Sequence, residues 1–256
     1  MENNSIKMDW NKLISTMRLG LETYHSEKSE SRTEFQRDYD RLVFSSPFRR
    51  LQNKTQVFPL PKNIFVHNRL THSLEVSCVA RSLGNEAAKF LKNKYGDAVA
   101  ESTSELGAIV SAACLAHDMG NPPFGHSGEK AIATYFSERS GITLKDLLSP
   151  EEWCDITHFE GNANAFRLLT HQFVGRRPGG FVMTYSTLAS IVKFPFESTA
   201  AGEKLKFGFF QSEKEDYQKI TKQAQELSDE ELQNVTGGCQ TYSDATYNSL
   251  GTWLDT

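Results

Sequence analysis

The stretch LAHDMGNPPFGHSGE, residues 115–129, concentrates residue types that could do chemistry. His117 and Asp118 stand side by side after an apolar run, and a Gly/Pro-rich break separates them from His126 and Glu129. Ionisable groups lose solvation on burial unless they are paired or bind a metal. Imidazole nitrogen and carboxylate oxygen suit a divalent ion such as Mn, Fe, Co, Ni or Zn, and also Mg if water fills most of the shell. The stretch therefore predicts a metal site.

A third metal ligand is available at His72 in HNRLTHSLEV, near the start of another predicted helix and one turn after Arg69. A lone histidine is more often an ordinary core or surface residue. Here the histidine comes with an adjacent His-Asp pair and a Gly/Pro stop. With all three features present, a metal site is about as good an interpretation as a structural role. His126 and Glu129 are three residues apart, so both can lie on one face of a new helix. They could form a general acid–base pair, or Glu129 could simply stabilise the helix N-terminus.

The segment SSPFRRLQNKTQ offers a phosphate subsite, because Arg49, Arg50 and Lys54 lie near the amides of Gln52 and Gln56. Arginine guanidinium groups match the geometry of phosphate oxygens. The commoner outcome for such a basic run is a solvated surface patch, and that alternative stays open.

The elements that must position these residues are mostly helices, because apolar residues recur at three- and four-residue steps. Residues 104–117 are apolar nearly all round and predict a central buried helix, which MGNPPFG stops. Alternating runs are few, KTQVFPL being the best candidate. We predict an all-α helical bundle with few or no short strands. The other predicted helices cover residues 10–21, 35–43, about 71–91, 127–139, 159–173 and 184–192, and loops are expected at 92–102, 144–153 and 174–181.

The composition of the 256 residues, 38% hydrophobic and 23% charged, is that of an ordinary soluble domain. The four cysteines have no paired-ligand spacing, which argues against a cysteine zinc site or a disulfide scaffold. No window approaches the roughly 18 apolar residues of a membrane span, and the N-terminus has no export signal. We expect a cytoplasmic protein without a membrane partner.

The charge is asymmetric along the chain, although the net value is only -4. From Glu226 onward there are six acidic residues and no Lys or Arg, so the preceding body is mildly basic. This balance permits anionic ligands but is too weak to indicate nucleic acid binding. The change in composition near Gln223 predicts two parts, a domain over residues 1–222 and an acidic, flexible tail over residues 223–256.

Five segments, in order, resemble the bacterial deoxyguanosine triphosphate triphosphohydrolase branch of the HD-domain phosphohydrolases. The resemblance covers about residues 22–217 and implies an all-helical HD fold. It also implies metal-dependent hydrolysis of deoxynucleoside triphosphates, with dGTP favoured, to deoxynucleoside and triphosphate. The segments are RDYDRLVFSSPFRRLQNKTQVFPL, NRLTHSLEV, LAHDMGNPPFGHSGE, HFEGNANAFRLLT and MTYSTLASIVKFP.

Carried over by motif, the resemblance implies that His72, His117 and Asp118 are metal ligands. It implies a catalytic pair in His126 and Glu129. The residues that it implies for substrate binding are Arg69 for phosphate, Gln52 for the sugar 3′-hydroxyl, and Asn162 and Asn164 in the pocket wall. Arg49 is a further candidate for substrate binding, on the basic run described above. It further implies a homo-oligomer and binding of single-stranded DNA.

The resemblance ends near KFGFFQSEKEDY, whereas the family continues with helices that supply a second aspartate ligand. No matching aspartate is recognisable here, so the fourth ligand stays unassigned and activity of this chain is in question. Residues 227–238, LSDEELQNVTGG, resemble a double-glycine peptide leader cleaved after Gly238. A chance acidic helix with a glycine C-cap is the alternative. Three other functions remain: a non-catalytic nucleotide-binding module, a carrier of a leader peptide, and another HD nucleotidase or phosphodiesterase.

Overall fold

The structure is a computed structural model, which describes residues 10–23, 32–56, 67–175, 177–202 and 206–224. Within these ranges the regular elements are helices, and β pairing is limited to the isolated bridges Arg18↔Thr184 and Thr55↔Asn68. The all-α prediction is confirmed. None of the described helices is both long and apolar enough to cross a bilayer.

Eleven α-helices are labelled in chain order over the described ranges. They are α1 (Trp10–Leu13), α2 (Glu34–Val43), α3 (Ser46–Arg49), α4 (Arg69–Tyr95), α5 (Asp97–Thr103), α6 (Leu106–Ala116), α7 (His126–Glu138), α8 (Pro150–Thr157), α9 (Gly161–Thr170), α10 (Tyr185–Ile191) and α11 (Lys214–Ala224). Short 3₁₀ segments cover Arg50–Asn53, Ser140–Leu147, Ser198–Ala200 and Gln211–Glu213.

Helices α4 and α6 form the central pair, and small residues let them cross closely. A side chain on Gly84 of α4 would place its Cβ 2.8 Å from the Cα of Gly107 on α6. The hydroxyl of Ser77 lies 2.8 Å from both the carbonyl oxygen and the hydroxyl of Ser111, so this buried polar contact is satisfied. These pairings are antiparallel. The same register, continued to the start of α4 and the end of α6, brings the regions of His72 and His117 together.

Helix α6 is the centre of the hydrophobic core, as its nearly continuous apolar sequence predicts. Helices α2, α4 and α10 pack against it. The core cluster to which these helices contribute includes Leu42, Ala112, Leu115, Ala116, Phe166, Met183 and Leu188, which are all completely buried. Because α6 is packed on several sides, its C-terminal end is a rigid support for the residues that follow it.

A buried ionic cluster around Asp38 ties the N-terminal segment to α2 and α10. Asp38 accepts hydrogen bonds from Arg18 Nη1 at 2.6 Å and from the backbone N and Oγ1 of Thr184 at 2.9 and 2.6 Å. Arg18 also pairs with Glu34 at 2.6 Å. Asp38 is fully buried, so its charge depends on these donors.

The helix expected over residues 10–21 is wrong beyond Leu13. The chain after α1 instead runs alongside the segment before α10, where Leu19 N donates to Met183 O and Tyr185 N donates to Met17 O. The apolar residues of this segment recur at helical spacing, but they pack against α10 from a non-helical backbone. Tertiary contacts thus overrode the local pattern.

Two predicted loops are largely helical. Residues 92–102 are polar, yet α4 continues to Tyr95 and α5 begins at Asp97, with only Gly96 at φ 76° between them. Within 144–153, a 3₁₀ helix runs to Leu147 and α8 begins at Pro150, where Ser149 forms a capping box with Glu152. The polar composition of both segments favours a loop, whereas the Ser-Pro-x-Glu sequence at residues 149–152 is a helix start signal.

The described part of the loop predicted at 174–181 consists of turns and irregular backbone, as expected. Most of KTQVFPL lies outside the described residues. So does the chain from residue 225 onward, which includes the leader-like segment and nearly all of the predicted tail. The domain boundary near residue 223 stays a prediction.

Candidate metal centre

His72 lies at the second turn of α4, and a capping box fixes that end of the helix. Asn68 Oδ1 accepts from Thr71 N, and Thr71 Oγ1 accepts from Asn68 N. Arg69 N donates to Lys54 O at 3.1 Å, which joins the helix start to the segment after α3. The cap determines where α4 begins, and so it determines the direction in which His72 points.

His117 follows α6 directly, and its ring is oriented by its own helix. Its Nδ1 lies 2.6 Å from the carbonyl oxygen of Cys114. A carbonyl can only accept a hydrogen bond, so Nδ1 carries the proton and Nε2 keeps its lone pair. Metal-binding histidines are commonly held in this way by a backbone carbonyl. His117 therefore has the tautomer of a metal ligand.

Asp118 is buried, and both of its oxygens have polar partners. Oδ2 accepts from Arg69 Nη1 at 2.7 Å, and Oδ1 accepts from Asn121 Nδ2 at 2.5 Å. His117 Nε2 lies 3.5 Å from the same Oδ1. Arg69 is itself buried, and its Nε has no hydrogen-bond partner among the described residues. A guanidinium so placed can hold the carboxylate and still present an N–H to an anion.

The ligand atoms of His72, His117 and Asp118 all lie within 4.8 Å of one another. The rings of His72 and His117 have centroids 5.4 Å apart. Two imidazoles bound to one ion through Zn–N bonds of about 2.0–2.1 Å have ring centres about 5 Å apart. The donor set and its spacing therefore fit a divalent transition ion after a small closure.

Burial and a neighbouring histidine keep His72 in the form that a metal needs. Burial lowers the pKa of His72, and the nearby His117 lowers it further, so the neutral imidazole is favoured. Burial also lowers the pKa of Lys54, and the neighbouring Arg69 adds to that effect. Lys54 Nζ donates to Asn121 O at 2.6 Å and so supports the loop after Asp118.

Helix α9 supports the same loop from the other side through close backbone contacts. A Cβ on Gly120 would lie 2.1 Å from the backbone N of Ala165, and one on Gly161 would lie 2.1 Å from Asn121 Oδ1. Asn164 Nδ2 donates to Gly120 O at 2.8 Å. The glycines are required here because α9 and the loop approach more closely than side chains allow.

The predicted pair of His126 and Glu129 is not joined in the structure. His126 is exposed at the first residue of α7. Glu129 is buried, accepts from Gly161 N at 2.9 Å and lies 3.6 Å from Lys206 Nζ. Its described hydrogen bond and ion pair are thus made to these two residues and not to His126. Glu129 does lie in the first turn of α7, but it reaches α9 instead of capping its own helix.

The sequence did not point to Lys206 or Glu160, which complete this network. Lys206 Nζ lies 2.6 Å from Glu160 Oε2, and Glu160 is buried at the N-cap of α9. Glu160 Oε1 accepts from Asn162 N and Nδ2 at 3.2 and 2.6 Å. Glu160 lies within the FEGNAN motif, so the sequence did mark its neighbourhood as part of the site. Lys206 is distant along the chain and gave no such signal.

The remaining predicted substrate residues differ in their surroundings. Asn164 supports the loop and Asn162 bonds Glu160, so both have structural partners already. Arg49 ends α3, and Gln52 lies in the following 3₁₀ helix, which packs against α4. Both are exposed. Their roles in substrate binding stay predictions.

Comparison with known proteins gives the family. The HD domain matches residues 69–176. A deoxyguanosinetriphosphate triphosphohydrolase-like protein of Pseudomonas aeruginosa is 47% identical over 210 residues, covering 80% of this chain and 47% of the relative. A protein of the same name from Synechocystis is 48% identical over 223 residues, covering 81% and 49%.

A deoxyguanosinetriphosphate triphosphohydrolase of Cronobacter sakazakii is 34% identical over 228 residues, covering 75% of this chain and 44% of the relative. The chain thus spans about half the length of the curated relatives that it matches. The HD match begins at Arg69 and includes the candidate ligands His72, His117 and Asp118, which we call the metal-ligand cluster. Over its matched residues, the chain belongs to the HD-domain family, on the branch of the deoxyguanosinetriphosphate triphosphohydrolase-like proteins.

Proposed function

We propose that this chain takes part in the hydrolysis of deoxynucleoside triphosphates, with dGTP favoured, to a deoxynucleoside and triphosphate, and that the reaction needs a divalent ion. The observation that carries the proposal is the convergence of His72, His117 and Asp118, whose ligand atoms lie within 4.8 Å. The names of the related proteins support the choice of substrate.

His72, His117 and Asp118 would hold the ion, which would polarise a phosphate oxygen and lower the pKa of water. Its identity among Mn, Mg, Fe, Co, Ni and Zn stays open. Water would add to the α-phosphorus, the bond to the sugar 5′ oxygen would break, and a proton would pass to that oxygen. His126 would move the proton, since it is exposed beside the loop that carries Asp118.

Substrate phosphates would meet the cationic side of the cluster. Arg69 already donates to Asp118, and its buried Nε has no hydrogen-bond partner among the described residues. Lys54 lies near Arg69 and adds positive charge. Arg49 would bind phosphate and Gln52 would contact the sugar, both from the exposed surface between α3 and α4. Guanidinium groups are suited to this because they stay charged and donate in a fixed plane.

The proposal is tested by triphosphate release from a panel of dNTPs with each candidate ion. His117→Ala should reduce the rate more than about 100-fold, because even changes outside the ligand shell commonly cost about 10–100-fold. His171→Ala is the matched control, since both histidine side chains are 36% exposed and His171 lies outside the cluster. Equal rates for the two variants would refute the proposal.

A second candidate is a non-catalytic nucleotide-binding module. It is favoured by the engagement of Glu129 with Gly161 and Lys206, which leaves His126 without the predicted carboxylate partner. This candidate predicts that dGTP binds in a calorimetric titration while no triphosphate is released with any ion. Turnover that depends on His126 would exclude it.

A further inference from the structure

A second group of potential ligands lies next to the metal-ligand cluster and shares one residue with it. The ligand atoms of His67, His72 and Glu75 also lie within 4.8 Å of one another. We propose that these three residues, the outer cluster, form a second and weaker position for a transition ion such as Zn²⁺, Co²⁺ or Ni²⁺. His72 belongs to both positions. This proposal does not depend on hydrolase activity.

The geometry of the outer cluster resembles that of the inner one. The rings of His67 and His72 have centroids 6.0 Å apart, against 5.4 Å for His72 and His117. His67 Nε2 lies 3.7 Å from Glu75 Oε2. Two histidines on one ion have ring centres about 5 Å apart, so the outer group needs a closure of about 1 Å.

The side chains that must move are able to do so. His67 and Glu75 are 48% and 64% exposed, so neither is fixed by packing. Glu75 lies three residues after His72 on α4 and therefore shares its face of the helix. Two imidazoles and one carboxylate are a donor set that suits Zn²⁺, Co²⁺ and Ni²⁺ better than Mg²⁺.

The competing explanation is a surface ion pair between His67 and Glu75. That pair requires a protonated His67, whereas a metal requires the neutral ring. Exposed ion pairs are also weak. The two explanations are therefore separated by Co²⁺ binding, which the outer cluster predicts and a surface ion pair does not.

Sharing His72 couples the two positions. An ion in the outer cluster competes for the His72 imidazole, and two dications on neighbouring sites repel one another. Both effects have the same sign, so outer occupancy should weaken inner binding. By linkage, an inner ion weakens the outer position equally.

The test isolates the outer cluster by removing an inner ligand. His117→Ala leaves His67, His72 and Glu75 intact, and it retains Asp118 as the partner of Arg69. Titration of this variant with Co²⁺ at about pH 8, followed by visible absorption, should show one bound ion. Adding His67→Ala should weaken that binding at least about tenfold. Glu86→Gln, an exposed acid on the same helix, should leave it unchanged.

The wild-type chain gives an independent test if the His117 variant does not fold. Co²⁺ in excess should add a second, weaker phase of binding that His67→Ala and Glu75→Gln each remove, while the first phase remains. The proposal is overturned if His117→Ala folds but binds no Co²⁺, or if its binding is the same with and without His67. A wild-type second phase that survives His67→Ala would also overturn it.

Discussion

Replacing Lys206 by Met should destabilise the protein through two buried carboxylates. Lys206 Nζ lies 2.6 Å from Glu160 and 3.6 Å from Glu129, and both acids are more than nine-tenths buried. Their other described partners are neutral N–H groups. Removing one partner of a buried ion pair typically costs about 3–5 kcal/mol. Lys206 is 31% exposed, so water can replace part of the ammonium, and we expect about 2–3 kcal/mol.

The design includes a rescue and a matched control. Adding Glu160→Gln to Lys206→Met removes one unpaired charge and keeps a side-chain oxygen for the α9 cap, so the deficit should fall to about 1 kcal/mol. Lys89→Met removes an ammonium that lies 2.7 Å from Glu86 at an exposed site, and should cost less than about 0.5 kcal/mol.

The assay is urea unfolding followed by circular dichroism at pH 8. A deficit below about 0.5 kcal/mol, or additive losses in the double variant, would refute the argument that Lys206 neutralises both acids.

Three further predictions concern stability and the support of the site. Asp38→Ala should cost about 2–4 kcal/mol in urea unfolding, because Arg18 keeps only Glu34 as a described carboxylate partner and the buried N–H of Thr184 loses its acceptor; a loss under about 1 kcal/mol would contradict this. Although burial raises the pKa of Glu22, hydrogen bonds led by that from Lys219 lower it from 4.5 to about 2. The stabilisation by Glu22 is therefore present above pH 4.5 and lost as the pH falls toward 2. In a plot of the free energy of unfolding against pH, Glu22→Gln should reduce the decline below pH 4.5, and an unchanged decline would exclude the effect. Gly84→Ala should cost about 1–3 kcal/mol of stability and weaken metal binding, because the new Cβ would meet the backbone of α6. Thermal unfolding and Co²⁺ titration check the two effects, and unaltered values would show that the helices can separate freely.

The sequence predicted the helices whose apolar residues face one shared core. Helix α6 is the clearest case, since Leu115 and Ala116 are completely buried and the Gly/Pro segment ends the helix next to His117. The metal-ligand cluster followed from residue type and from the resemblance, and the structure brings its three members together. The spacing of apolar residues could not show where α4 and α6 cross, because the crossing depends on Gly84 and Gly107, which are distant in sequence.

The failures have a common physical cause. Residues 14–21 have helical spacing, but backbone bonds to the segment before α10 hold them in another conformation. Lys206 and His67 carry no local signal, because their importance arises only from the buried acids and the histidine beside them in space. Similarly, the sequence placed Glu129 one helical turn from His126, yet a backbone N–H of α9 binds its carboxylate.

The central claim is that His72, His117 and Asp118 hold one divalent ion between α4 and the end of α6. The most direct test is a crystal grown with Mn²⁺ and examined by anomalous scattering. We expect a peak with bonds of about 2.0–2.3 Å to both imidazoles and the carboxylate. A well-ordered site with those three side chains and no anomalous peak between them would contradict it.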